Sequence, residues 1–188
     1  MEYKRLTKES LWTILEAWDP YMPKKMRLIA CGGTAMTLQD LKPSTKDVDF
    51  IVPEVDEYDA LVKTLQKIGY KRETGTGWGR GDGYLFDLFR GHAVYTTELL
   101  ESPLENGNNT HIRSFKKIYV GVLNDYDLIT TKMFRGTDVD IEDCLALIKK
   151  RGAVFDLERL KTRYKEMASY DVSEQRVLGN LQGLLNQL

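Results

Sequence analysis

The sequence predicts an α/β (α+β) fold: a mixed sheet flanked by helices, followed by a C-terminal helical part. Three features carry that prediction. The first half alternates apolar runs of strand length with amphipathic stretches of helical period. From residue 124 onward the periodicity is helical throughout. Between these, one apolar run ends in Gly32-Gly33, leads through a short helical segment, and is followed by Asp47-Val48-Asp49-Phe50-Ile51-Val52, a strand that opens with carboxylates on alternate residues. The chain therefore divides into an α/β core with an N-terminal helix, residues 1–123, and a helical region packed on it, residues 124–188.

In chain order, residues 7–18 read as a helix capped by Thr7, with Leu11, Ile14, Leu15 and Trp18 on its apolar stripe. Asp19-Pro20 and Met22-Pro23 end it. Arg27–Cys31 is a strand, Thr34–Leu41 a helix of about two turns, Lys42–Thr45 a turn and Val48–Val52 a second strand closed by Pro53. Glu54–Ile68 is amphipathic, with Val55, Tyr58, Leu61, Val62 and Leu65 on one face and Gly69 as its cap. Tyr70–Glu73 suits a short strand. Gly75–Gly83 has glycine at every second position, which predicts a loop or a hairpin end. Tyr84–Phe89 is an apolar strand interrupted by Asp87; residues 92–116 read as irregular; Ile118–Leu123 is a strand. Residues 125–134, 139–150, 157–168 and 173–188 are helical.

With 42% apolar and 29% charged residues the chain has the composition of an ordinary globular protein. A net charge of −1 neither demands nor excludes a nucleic-acid partner. The sequence has no apolar run of membrane-spanning length and its N-terminus lacks the apolar core of a signal peptide, so a cytoplasmic protein with no membrane partner is expected. Cys31 and Cys144 are far apart without a CxxC context and read as reduced thiols.

The chemistry lies in the stretch from Leu28 to Val52. Residues i and i+2 of a strand share a face, so Asp47 and Asp49 present two carboxylates together. Like charges that close are costly unless a cation sits between them, and a divalent metal with oxygen ligands meets that need. Gly32-Gly33 permits close approach to a polyphosphate, with Thr34 adding a hydroxyl. Asp87, polar in an apolar strand, would be a third carboxylate.

Gly32-Gly33, Asp47-Val48-Asp49 and the later strand Asp87 together resemble the polymerase-beta-type minimal nucleotidyltransferase superfamily. The resemblance implies a nucleotidyltransferase-type mixed sheet and the transfer of a nucleoside monophosphate from a nucleoside triphosphate, ATP among them, to an acceptor hydroxyl or phosphate. It implies two magnesium ions, or manganese in their place, on Asp47, Asp49 and Asp87, with Asp87 as base as well as ligand. Gly32, Gly33, Thr34, Lys46 and Lys132 would contact the nucleotide. The run from Asp127 through Lys132 and Arg135 to Asp143 is similar to toxin-like and abortive-infection-type members, in which a lysine and an acidic pair face the cleft. That likeness favours RNA (tRNA included) or protein as acceptor and implies an antitoxin partner. A non-catalytic nucleotide- or partner-binding protein on the same fold is the alternative.

Overall fold

The structure, a computed structural model, describes residues 3–188. Helix α1 (Lys8–Trp18) starts where the Thr7 hydroxyl accepts the Ser10 N–H, as its N-cap position requires. Strand β1 (Met26–Ala30) runs into α2 (Gly32–Leu38), which begins two residues earlier than the spacing predicts, so the glycine pair forms the first turn of the helix. Strand β2 (Asp47–Val52) and helix α3 (Val55–Lys67) follow.

The glycine-rich segment resolves into the turn of a hairpin, β3 (Lys71–Arg72) and β4 (Gly77–Gly79), which leads into β5 (Leu85–Arg90). The stretch 92–116, expected to be irregular, needs correcting. It contains a small hairpin, β6 (Ala93–Val94) and β7 (Thr97–Glu98), and a six-residue strand, β8 (Asn109–Ser114). β8 is a sheet edge with no buried residue, so it lacks the apolar alternation that marks a strand. Its pairing to β9 (Ile118–Leu123), interrupted by a bulge between His111 and Arg113, is what makes it one.

The main sheet has seven strands in the order β3-β4-β5-β2-β1-β9-β8. β1 pairs antiparallel with β2 and parallel with β9, while β2 and β5 run parallel. The central strands are almost wholly buried, which fits their unbroken apolar runs. Four helices complete the chain: α4 (Asp125–Arg135), α5 (Asp138–Arg151), α6 (Leu157–Ala168) and α7 (Glu174–Leu185). α4 is capped by Asn124 and ends at Gly136 in the left-handed conformation; α5 opens with a Thr137–Asp140 capping box. A single hydrophobic cluster runs from Leu6 through the sheet to Leu184, so these helices share the core of the sheet. Both cysteines are buried free thiols. Among the described residues no helix is long and apolar enough to cross a membrane.

Candidate active site

The acidic half of the site comes from one strand pair. In the β2–β5 register Asp49 lies opposite Asp87 and Asp47 opposite Leu85, which puts all three carboxylates on one face of the sheet. Asp49 and Asp87 are buried. Burial, then the charges of Asp87 and Asp47, push the Asp49 carboxyl up to about 7, against the opposing pull of Lys132 and the Gly33 N–H. Asp87 is also raised, by burial and by Asp47, although its Oδ1 accepts a 2.6 Å hydrogen bond from the Thr76 hydroxyl.

The two glycines admit these groups. A Cβ on Gly32 would stand 2.5 Å from Asp49 Oδ2, and Gly32 has φ +52°, so only glycine fits both the space and the backbone. A Cβ on Gly33 would stand 2.5 Å from Thr45 Oγ1. Thr34 departs from expectation. It is fully buried, and its hydroxyl accepts the Asp49 N–H at 2.8 Å, which ties α2 to β2 instead of facing the cleft.

The basic half comes from scattered segments. The Lys132 ammonium is buried 2.7 Å from Asp143 Oδ2 and 3.6 Å from Asp140 Oδ1. Arg135 donates two hydrogen bonds to Asp140, and Lys42 meets Asp143 at 2.8 Å. Burial alone would raise Asp140, but the bonds from Arg135 and Thr137 outweigh it and hold the carboxyl below its usual range. The acidic pair expected on α5 thus anchors the cations: Asp143 lines the narrow lobe beside them, while Asp140 lines neither lobe.

The cleft has two lobes that share Asp49, Tyr95, Lys132 and Arg135. The narrow lobe, about 220 Å³, adds Gly33, Asp47 and the cations Arg5, Lys42 and Lys46. The wide lobe, about 500 Å³, adds Gly32, the β6–β7 hairpin, Thr131, Phe134 and Arg176. Five cations around the narrow lobe suit a polyphosphate. Gly32, Gly33, Asp47, Asp49, Lys46 and Lys132 therefore meet at one cleft; Asp87 is paired with Asp49 across the strands but lines neither lobe.

Tyr95, Arg176 and Arg5 also line this cleft and were not singled out from the sequence. Tyr95 sits in the β6–β7 turn at φ +52°, unusual for a bulky residue, with its ring packed edge-on against Phe89. Nothing in its sequence neighbourhood signals that. The glycine-rich segment contributes nothing to either lobe: its Trp78 is buried in the core and its Arg80 is held by Asp82 at 2.6 Å.

The donor set suits a hard divalent cation, since it is all carboxylate and the like charges of Asp47, Asp49 and Asp87 repel one another. As the side chains stand, no three His, Cys, Asp or Glu groups among the described residues are gathered closely enough to hold a metal. Adjacent strands lie ~4.8 Å apart, so Asp49 and Asp87 remain within side-chain reach of one shared ion.

No curated protein matches the chain. Among solved structures, ANT(2'')-Ia in complex with adenylyl-2''-tobramycin aligns with a TM-score of 0.56 and 18% identity over 85% of this chain and 95% of that one. An antigenic nucleotidyltransferase-like protein from Paracoccidioides brasiliensis aligns with a TM-score of 0.53 and 14% identity, covering 94% and 95%. At these identities the likeness establishes the fold. Residues 10–186 match the model of the family described as "Nucleotidyltransferase of unknown function", and the chain belongs to that family.

Proposed function

We propose that the protein transfers a nucleoside monophosphate from a nucleoside triphosphate to an acceptor hydroxyl in a magnesium-dependent reaction. The observation that carries this reading is the buried Asp49, paired in register with Asp87 and pressed against Gly32 at the junction of a basic lobe and a wider one. Asp47, Asp49 and Asp87 would hold divalent metal, which supplies charge stabilisation on the phosphates and lowers the pKa of a coordinated hydroxyl.

The chain's own groups do the rest. Arg5, Lys42 and Lys46 draw the β- and γ-phosphates into the narrow lobe and neutralise the departing pyrophosphate. Lys132 and Arg135 face both lobes, so they sit where the phosphate chain crosses from one to the other. Their bonds to Asp143 and Asp140 fix them there in advance. Asp87 is the candidate to take the acceptor proton, because its carboxyl already has raised proton affinity. RNA or protein is the acceptor class implied by the resemblance to toxin-like members, and an antitoxin partner rests on that resemblance alone.

The test is transfer of α-labelled triphosphate, one base at a time, to total RNA and to protein, with magnesium and with chelator. Magnesium-dependent labelling that disappears in Asp47→Asn supports the reading. Labelling that survives in Asp47→Asn defeats the metal assignment. A second reading, a non-catalytic nucleotide-binding protein, is favoured by the ungathered carboxylates; nucleotide binding with no label in any acceptor would establish it.

A further inference from the structure

Three cations of the narrow lobe already have acid partners: Lys42 and Lys132 on Asp143, Arg135 on Asp140. Arg5 and Lys46, which line the same lobe, have none among the described residues. They hold its uncompensated charge, and one stretch of chain governs both. Residues 3–6 cross the surface ahead of α1 without regular structure and are fastened at two ends.

At the inner end Leu6 is buried in the core. Its N–H donates 2.7 Å to the Thr45 carbonyl, and its carbonyl accepts the Thr45 N–H at 3.0 Å. The Thr45 hydroxyl donates 2.8 Å to the Asp47 carbonyl, and Lys46 is the residue between those two. At the outer end the glycine-rich segment clasps the chain. The Lys4 N–H donates 2.8 Å to the Gly83 carbonyl, the Lys4 ammonium 3.1 Å to the Asp82 carbonyl, and the Tyr3 hydroxyl 2.6 Å to Glu73 Oε2. A Cβ on Gly83 would stand 3.2 Å from three carbons of the Lys4 side chain, at φ +89°, so glycine lets the clasp close. Between the two ends, Arg5 donates from Nε to the Ser44 hydroxyl and from Nη2 to the Ser44 carbonyl, each at 2.9 Å. Without an acid to hold it, the guanidinium takes its place from the backbone that carries it, and its remaining N–H groups stay free for an anion.

We propose that residues 3–6 are a positioning strap for the triphosphate: the clasp on Tyr3 and Lys4 holds Arg5 toward the β- and γ-phosphates, and the Leu6–Thr45 bridge holds Lys46 beside it. This rests on the nucleotidyl-transfer reading above. Tyr3, Lys4 and Glu73 line neither lobe and act through Arg5. The coupling is reciprocal: a triphosphate gripped by Arg5 tightens the clasp by the factor with which the clasp tightens the triphosphate. A monophosphate, which has no β- or γ-phosphate, does neither.

The experiment is titration calorimetry of the full chain in magnesium with each nucleoside triphosphate and with its monophosphate. Arg5→Gln should weaken triphosphate binding by about tenfold, the loss of one charge-assisted phosphate contact. Tyr3→Phe and Glu73→Ala break one contact from opposite sides, and each should weaken it by about threefold, as for one exposed hydrogen bond. Monophosphate binding should stay unchanged in all three. In the Arg5→Gln background Tyr3→Phe should add nothing, because its contribution runs through Arg5. Hydrogen exchange at the Lys4 amide should slow with triphosphate and not with monophosphate. If the strap only covers the surface, Tyr3→Phe lowers the melting temperature or changes nothing, and both affinities stay intact. That overturns the proposal, as do equal losses for triphosphate and monophosphate, a full Tyr3→Phe effect in the Arg5→Gln background, or a wild type that binds no triphosphate. Magnesium-dependent transfer by a wild type whose Tyr3→Phe variant binds triphosphate normally discards the strap and keeps the transfer reading. The expected pattern of affinities in a chain that labels no acceptor keeps the strap and discards catalysis.

Discussion

Replacing Asp49 by Asn should remove activity and, in metal-free protein, make the fold more stable at neutral pH. Burial and the charges of Asp87 and Asp47 raise the folded-state carboxyl to about 7, against an unfolded value of ~3.9. A group whose folded pKa is raised contributes fully to stability below its unfolded pKa, and the contribution is lost as pH rises through the folded value. The window is therefore about pH 4 to 7, and above it the folded state bears an ionised, buried, crowded carboxylate. A carboxyl held roughly three pH units above its unfolded value costs at most ~4 kcal/mol once ionised. Asn retains the shape without the charge but leaves its amide to find partners, so a net gain of ~2 kcal/mol is expected at pH 8. For a chain of this length that is a rise of about 4–8 °C in melting temperature. The assay is thermal unfolding of both proteins in chelator from pH 4.5 to 8, repeated with magnesium. The variant's advantage should grow with pH and then shrink when magnesium stabilises only the wild type. A stability difference independent of pH, or a wild type less stable than the variant by the same margin with magnesium present, would refute the electrostatic account of this site.

Three other substitutions test separate parts of the architecture. Gly32→Ala puts a methyl 2.5 Å from Asp49 Oδ2 at a positive φ; it should cost about 1–3 kcal/mol in urea unfolding and reduce transfer more than a change in stability explains. Thr34→Val removes the hydroxyl that accepts the Asp49 N–H, leaving a buried donor unpaired at a cost of about 1–3 kcal/mol by the same measurement. Lys132→Met strips a buried ammonium from Asp143 and Asp140. Lys42 and Arg135 still compensate those acids, so destabilisation should sit near ~3 kcal/mol, the low end for a broken buried pair. Transfer should fall through the triphosphate KM if Lys132 meets phosphate.

The acidic half of this cleft was legible because its information is local. Asp47 and Asp49 share a strand face by spacing alone, and Asp87 stood out as the polar residue of an apolar strand. The glycine pair was also visible, but its role was not. What approaches Gly32 most closely is the chain's own Asp49 carboxylate, a contact created by the antiparallel β1–β2 pairing and invisible to a reading along the sequence. Thr34 went the same way: beside a glycine pair it resembles a phosphate contact, yet a buried backbone N–H needed an acceptor and took its hydroxyl. The β6–β7 hairpin is too short and too polar to show a period, so Tyr95 could not be placed. Arg176 lies on a helix that carries no motif, and only the packing of α7 against the end of α4 brings it to the cleft.

That contrast bears on where specificity resides. The carboxylates sit on two adjacent parallel strands, where register alone fixes their spacing, and a change in either strand disturbs all of them together. The cations arrive on separate supports: the segment before α1, the α2–β2 turn, α4 and α7. Arg5 and Arg176 can each change without disturbing the others, because each is held by its own partner, Ser44 and the Phe134 carbonyl, whereas Lys42, Lys132 and Arg135 are tied together through Asp143 and Asp140. A charge exchanged at Arg176 alters the wide lobe and leaves the narrow one intact. On the proposed function, transfer would depend on the rigid strand pair, while a change confined to the wide lobe at Arg176 would leave that pair untouched.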